Sequence, residues 1–118
     1  MSSVEHENMV TMMQNLTFGG GTSIEEIRSA YDQLLLSSSM TDDAEIEEIQ
    51  IEHFNADWVS VPESRDDSVI MYLHGGGYIM GNNVAYREFA SRIARACRAR
   101  VLVVNYRLAP EHKYPAAL

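Results

Sequence analysis

A glycine triplet at positions 75–77 is the part of this sequence whose residue types and spacing could support chemistry. His74 precedes the triplet and Tyr78 follows it. Three consecutive glycines offer bare backbone, so a ligand oxygen can approach their N–H groups without meeting a Cβ atom. Donors that are fixed in advance stabilise negative charge most where it develops in a transition state. The triplet therefore predicts a site for an anion or an oxyanion.

The spacing of the glycines argues against a dinucleotide site. The pattern from Gly75 to Gly81 is one residue longer than the dinucleotide fingerprint, and Met80 stands where the third glycine belongs. The next apolar run ends in Asn105, not in an acidic residue that would bind a ribose hydroxyl. Arg107 could instead bind a 2′-phosphate, so a nucleotide-binding site stays open as an alternative.

Apolar patterning places the triplet between a strand and a helix. Residues 69–73 are an apolar run typical of a strand that is buried on both faces. Apolar residues recur at helical spacing over 86–97, and 101–104 is a second buried strand. This order predicts a parallel β–α–β unit with a right-handed crossover. Cys97 lies on the apolar side of the helix, which predicts a small buried side chain.

The N-terminal part predicts two helices joined by a linker. Apolar residues between Met9 and Leu16 share one helical face, and the glycines at 19–21 follow as a flexible link. The second helix begins with a capping box formed by Ser23 and Glu26.

After this region the apolar residues no longer recur at helical spacing, and their new spacing predicts two half-buried strands over residues 45–61. The turn between them is predicted near residues 55–57, where turn-forming Asn and Asp occur. Residues 62–67 are then predicted to form a polar loop.

Composition predicts a soluble cytoplasmic protein of one domain. The chain has 118 residues, of which 46% are hydrophobic and 22% charged. A net charge of −8 argues against a nucleic-acid partner. The single cysteine excludes an internal disulfide, and neither a leader peptide nor an apolar run long enough to span a membrane occurs.

Two segments taken together resemble the hormone-sensitive-lipase-like esterases, a branch of the α/β-hydrolase superfamily. Residues 74–81 read His-Gly-Gly-Gly-Tyr-Ile-Met-Gly, and residues 105–118 read Asn-Tyr-Arg-Leu-Ala-Pro-Glu-His-Lys-Tyr-Pro-Ala-Ala-Leu. The strand carrying Ala56-Asp57-Trp58 and the helix over 86–100 occur in the order of that family. The resemblance covers essentially the whole chain and is strongest over 57–118.

The resemblance implies a partial α/β-hydrolase fold. Residues 1–40 would form an N-terminal helical lid segment. Residues 41–118 would form the N-terminal part of the core, incomplete at its C-terminus. That part would hold the first strands of a mostly parallel sheet and one β–α–β crossover.

The resemblance also assigns roles around the triplet. Gly75 and Gly76 would supply oxyanion-hole N–H groups, while Gly77 would provide close approach and the turn. His74 would brace the loop through hydrogen bonds. Tyr78 would flank the pocket mouth, with packing under the lid as an equal alternative.

The second motif is predicted to be architectural. Arg107 and Glu111 would form an ion pair that fixes their loop, with Pro110 setting its bend. His112 is predicted to lie at the surface or pack in the loop, because the chain lacks the Gly-x-Ser-x-Gly turn whose serine a catalytic histidine would activate. His53 lacks the convergent ligands of a metal site, so neither a metal nor a cofactor is predicted.

The nucleophile of such an enzyme is missing from the sequence. No Gly-x-Ser-x-Gly occurs, and Ser91 lies within the predicted helix. The resemblance therefore implies the N-terminal portion of a serine carboxylesterase for short- to medium-chain acyl esters, with an oxyanion-hole loop but no Ser-Asp-His triad. The 118 residues alone are predicted to be inactive. A non-catalytic anion- or nucleotide-binding module and a subunit completed by a partner chain remain the alternatives.

Overall fold

In a computed structural model, residues 3–15 and 23–118 are described, and they form three helices and a four-stranded sheet. The elements in chain order are α1 (Val4–Asn15), α2 (Ile24–Leu36), β1 (Glu45–Ile51), β2 (Phe54–Ser60), β3 (Arg65–Leu73), α3 (Arg87–Cys97) and β4 (Ala99–Asn105). None of the described helices is long and apolar enough to cross a membrane.

The helix α2 begins at the predicted capping box. The Ser23 hydroxyl accepts a hydrogen bond from the Glu26 N–H at 3.2 Å, and the Glu26 carboxylate accepts one from the Ser23 N–H at 2.8 Å. Leu16 and the predicted linker at 19–21 lie outside the described residues. The division of the chain at residue 40 stays a prediction.

The sheet has the strand order β1-β2-β4-β3, in which β3 and β4 are parallel and the other pairs are antiparallel. The predicted β–α–β unit is thus confirmed. The predicted turn at 55–57 is wrong, because Ile51 pairs with Phe54 and the chain reverses at Glu52 and His53. Asp57 instead lies inside β2, where an ion pair with α3 compensates its poor strand propensity.

The edge strand β3 begins at Arg65, within the segment predicted to be a loop. Its predicted burial on both faces is wrong. Val69, Met71 and Leu73 are 55%, 64% and 62% exposed. The opposite face of β3 packs on the core, so only one side of this strand is covered by the described residues.

The core lies between the sheet and α3. Apart from Tyr86, its buried side chains are alanine or valine, which lets the helix approach the strands closely. Its buried members are Val59, Val61, Ala85, Tyr86, Ala90, Ala94, Val101 and Val103. Cys97 is exposed, contrary to prediction, because it ends α3 beyond the two alanines that the sheet covers.

Candidate functional site

The glycine loop, residues 74–81, connects the carboxyl end of β3 to the segment before α3. Three consecutive residues in it have positive φ: Gly76 at 134°, Gly77 at 62° and Tyr78 at 62°. The left-handed region is unfavourable for residues with a Cβ atom, which explains two glycines here. Tyr78 adopts it nonetheless, so the surrounding contacts must hold this turn in place.

Close backbone contacts require glycine at two positions of the loop. The N–H groups of Ile79 and Met80 both donate to the Gly76 carbonyl at 3.1 Å. A Cβ atom on Gly76 would lie 2.0 Å from the Met80 carbonyl oxygen. A Cβ atom on Gly81 would lie 2.6 Å from Nδ1 of His74. The loop is therefore a tight turn whose own residues contact one another closely.

The turn leaves three backbone donors unused. Among the hydrogen bonds of residues 3–15 and 23–118, none has the N–H of Gly75, Gly76 or Gly77 as its donor. These glycines line a cavity of about 350 Å³. Its other lining residues are Leu73, His74, Tyr78, Tyr106, Ala117 and Leu118. No acidic side chain lines this cavity, so it is suited to an electron-rich oxygen.

His74 is buried and packed, with 3% of its surface exposed. Its Nδ1 lies 2.8 Å from the Gly75 carbonyl oxygen and must carry the proton, since a carbonyl only accepts. The ring stacks between Tyr106 at 4.3 Å and Tyr86 at 5.5 Å between ring centroids. Burial lowers the pKa of His74, so the imidazole is neutral at pH 7. These contacts fit a residue that braces the loop.

The second motif, residues 105–118, packs directly against the glycine loop. The Tyr106 hydroxyl donates to the His74 carbonyl, and the Ala109 N–H donates to the Tyr78 carbonyl at 2.9 Å. The Tyr78 side chain is 62% exposed and lies edge-on to Tyr106. Tyr78 lines the same cavity as the three glycines.

The predicted ion pair between Arg107 and Glu111 is wrong. Glu111 binds Arg28 of α2 instead, with N–O distances of 2.8 and 2.9 Å. The Nε of Arg107 donates to the Ala116 carbonyl at 3.2 Å. The true partner of Glu111 lies 83 positions upstream, beyond the reach of any local pattern.

The contact between Arg28 and Glu111 predicts an unusually acidic carboxyl group. The Arg28 guanidinium lowers the pKa of Glu111 from 4.5 to about 2. A depressed folded-state pKa stabilises the fold above the unfolded value, and this contribution is lost as pH falls through the folded value. The contact should therefore hold at neutral pH and weaken between 4.5 and about 2. A carboxyl ¹³C titration would measure this midpoint, which should return towards 4.5 in Arg28→Gln. A midpoint that is equal in both chains would contradict the assignment.

Three polar side chains of α2 reach the glycine loop region, and none was predicted from the sequence to do so. Besides the Arg28 contact, the Tyr31 and Tyr86 hydroxyls are 2.6 Å apart, and Asn82 Nδ2 donates to Asp32 at 2.8 Å. Burial raises the pKa of Asp32. The available signal was their spacing, since positions i, i+3 and i+4 share one helix face.

His53 and His112 do not line the cavity at the unused donors. They line another cavity of about 390 Å³, which none of Gly75, Gly76 and Gly77 lines. Within residues 3–15 and 23–118, no group of three or more His, Cys, Asp or Glu side chains is arranged to hold a metal ion.

Sequence comparison relates the chain to ester-cleaving proteins. A family model described as the alpha/beta hydrolase fold matches residues 70–118. The chain is 37% identical over 70 residues to an acetyl-hydrolase of Streptomyces hygroscopicus, covering 59% of this chain and 23% of the relative. It is 32% identical over 109 residues to the carboxylesterase NlhH of Mycobacterium tuberculosis, covering 87% of this chain and 34% of the relative.

Structural comparison gives the same relationship. The crystal structure of an esterase from the bacterial hormone-sensitive lipase family matches with a TM-score of 0.90 and 36% identity. The match covers 99% of this chain and 39% of that esterase. The chain thus spans about a quarter to two-fifths of the length of these relatives. Agreement over nearly all of the chain confirms the fold class predicted from the sequence.

Proposed function

Because the chain belongs to the hormone-sensitive-lipase-like carboxylesterases of the α/β-hydrolase superfamily, we propose that it carries the oxyanion hole of a serine carboxylesterase. The N–H groups of Gly75 and Gly76 are the proposed donors. Gly77, without a Cβ atom, allows the substrate to approach. His74 and Glu111 would hold the loop from either side, and Arg107 would fix the second motif through Ala116.

In the proposed reaction, a serine outside these 118 residues attacks the carbonyl carbon of a small ester. A histidine takes the serine proton as the C–O bond forms, and the carbonyl oxygen gains the negative charge. The N–H groups of Gly75 and Gly76 then donate to that oxygen at about 2.7–3.1 Å. The intermediate collapses by expelling the alcohol, which takes the proton from the histidine. Water releases the acyl group by the same sequence of steps.

The observation that carries this proposal is the set of free backbone donors at the cavity wall. The donors are held by a turn whose φ angles and contacts are already set. A preorganised donor needs no rearrangement when charge develops, which is why such groups contribute most in the transition state. The cavity of about 350 Å³ would admit short- to medium-chain acyl esters.

The free edge of β3 is the proposed position of the strand that would carry the nucleophilic serine. β3 is the last strand in the sheet order, its outer edge is unpaired among the described residues, and its carboxyl end leads into the glycine loop. Further polypeptide could add a strand at that edge and bring a serine to the cavity. Such a strand could belong to the same polypeptide or to a separate partner chain, and the unpaired edge favours both forms of the proposal equally.

The proposal is tested by comparing the 118 residues alone with a chimera. In the chimera, residues 1–118 replace the aligned segment of the NlhH carboxylesterase. We expect no saturable hydrolysis of p-nitrophenyl butyrate by the isolated chain, because it has no serine elbow. The chimera should hydrolyse this ester, and a serine-directed phosphonate should stop it. Saturable, phosphonate-sensitive hydrolysis by the isolated chain would contradict the proposal. So would an inactive, folded chimera whose segment 1–118 binds a nucleotide.

A further inference from the structure

We propose that Arg28 is a positioning residue for the oxyanion-hole donors, through which helix α2 sets the geometry of the glycine loop. This inference rests on the proposed function, because it concerns the same loop. It assigns to α2 a role in the rate of the reaction rather than only in covering the site.

A single guanidinium joins three parts of the chain. Nε of Arg28 donates to the Ile79 carbonyl at 2.6 Å, and Nη2 donates to the Ala109 carbonyl at 2.8 Å. Nη1 and Nη2 also bind the two oxygens of Glu111 at 2.8 and 2.9 Å. The Arg28 side chain is only 24% exposed. Charge-assisted hydrogen bonds in such a sheltered place are strong and directional.

Ile79 links this guanidinium to the glycine donors. Its carbonyl is held by Arg28, while its N–H donates to the Gly76 carbonyl. The two planar peptide units that meet at the Gly76 Cα carry its donor N–H and its carbonyl, so holding the carbonyl limits the directions in which that N–H can point. Gly76 has no Cβ atom to restrict its dihedral angles, and external contacts must therefore hold them. Arg28 supplies one such contact.

Two neighbouring side chains on the same face of α2 align the helix for this role. The Tyr31 hydroxyl meets that of Tyr86, which stacks on the His74 ring, and Asp32 accepts from Asn82 just after the loop. The helix is thus attached to the segment that follows the loop, and Arg28 contacts the loop itself.

Arginine is required for this arrangement because four acceptor contacts converge on one planar group. A lysine ammonium keeps the charge but presents a single flexible point, which cannot reach two carbonyls and a carboxylate at these positions. Arg28→Lys should therefore lower kcat as much as Arg28→Ala. Glu111→Gln should lower kcat less, since it leaves both carbonyl contacts of Arg28 in place.

The kinetic test uses the chimera and a matched control. Arg95 also binds two carboxylates, those of Asp43 at 2.7 Å and Glu63 at 2.5 Å, but it does not contact the glycine loop. We expect Arg28→Ala and Arg28→Lys to lower kcat about 10²-fold with KM changed less than about twofold, since misplaced donors affect the transition state selectively. Glu111→Gln should lose less than Arg28→Ala. Arg95→Ala should keep kcat within about twofold.

A second measurement does not depend on catalysis. In the 118-residue chain, ¹H–¹⁵N spectra should show shifted amides for Gly76, Gly77 and Ile79 in Arg28→Ala, and unshifted ones in Arg95→Ala. Unshifted glycine amides, or equal kcat in the two variants, would overturn the positioning role. If the parent chimera is inactive, the proposed function fails, and the amide shifts alone then decide the role of Arg28.

Discussion

Gly76→Ala is expected to abolish ester hydrolysis by the chimera. The new Cβ atom would lie 2.0 Å from the Met80 carbonyl oxygen and 2.7 Å from its carbonyl carbon. Both atoms belong to the backbone, so no side-chain rotation can relieve the overlap. The φ of 134° is also unfavourable for alanine. The turn must open and move its donors, and loss of a single oxyanion-hole donor already lowers kcat about 10²–10³-fold.

The neighbouring glycines serve as matched controls for this result. A Cβ atom on Gly77 would have no atom within 4 Å, so alanine there incurs only the cost of a positive φ, about 1–2 kcal/mol. A Cβ atom on Gly75 would make an ordinary contact with the Tyr86 hydroxyl at 3.6 Å. Measured kcat/KM should fall least for Gly75→Ala, more for Gly77→Ala and most for Gly76→Ala. Equal losses at all three positions would show that the clash at Gly76 is not the cause.

Asp57→Ala is expected to produce the largest loss of stability, about 3 kcal/mol. Asp57 is fully buried within β2, and its Oδ2 accepts a hydrogen bond from Nε of Arg87 at 2.7 Å. Removing the carboxylate leaves the Arg87 guanidinium without its buried partner. Glu48 stays in contact with Arg87 at 2.6 Å, which places the effect at the lower end of the usual range for a broken buried pair.

Urea unfolding followed by circular dichroism would measure this loss of free energy. The control is Asp67→Ala, which removes the carboxylate of an exposed pair with Arg65. The two side chains of that pair are 61% and 65% exposed, so the loss of unfolding free energy should be far smaller than at Asp57. A loss at Asp57 no greater than that at Asp67 would mean that the buried pair does not stabilise the fold.

Local patterns were enough to predict the elements that position the glycine loop. The apolar residues on either side of it predicted the parallel β–α–β unit, because a buried strand and a buried helix face have apolar residues at different spacings. The capping box at Ser23 was equally local. The loop itself was recognisable because glycine is the residue that its φ angles and its contact with Met80 demand.

The partners of charged residues could not be predicted in the same way. Glu111 has Arg107 four positions away, yet it binds Arg28, which the fold brings beside its carboxylate and the Ala109 carbonyl, while Arg107 donates to the Ala116 carbonyl. The turn at Glu52 was likewise missed, since the pairing of β1 and β2 is decided across strands and not by turn propensity. Long-range contacts of this kind produce no regular spacing of residues along the sequence from which they could be predicted. Arg28 stands out only as a rare cation in the acidic part of the chain.

The open edge of β3 has a consequence for self-association. No described strand pairs with the outer edge of β3, so its backbone groups are available to the same segment of another molecule. Asp66 and Asp67 follow Arg65 at the start of this strand, and both are exposed. Two copies paired parallel and in register along the edge would bring these carboxylates together, and charges of this kind discourage aggregation. The acidity at the start of β3 thus opposes self-association along its free edge.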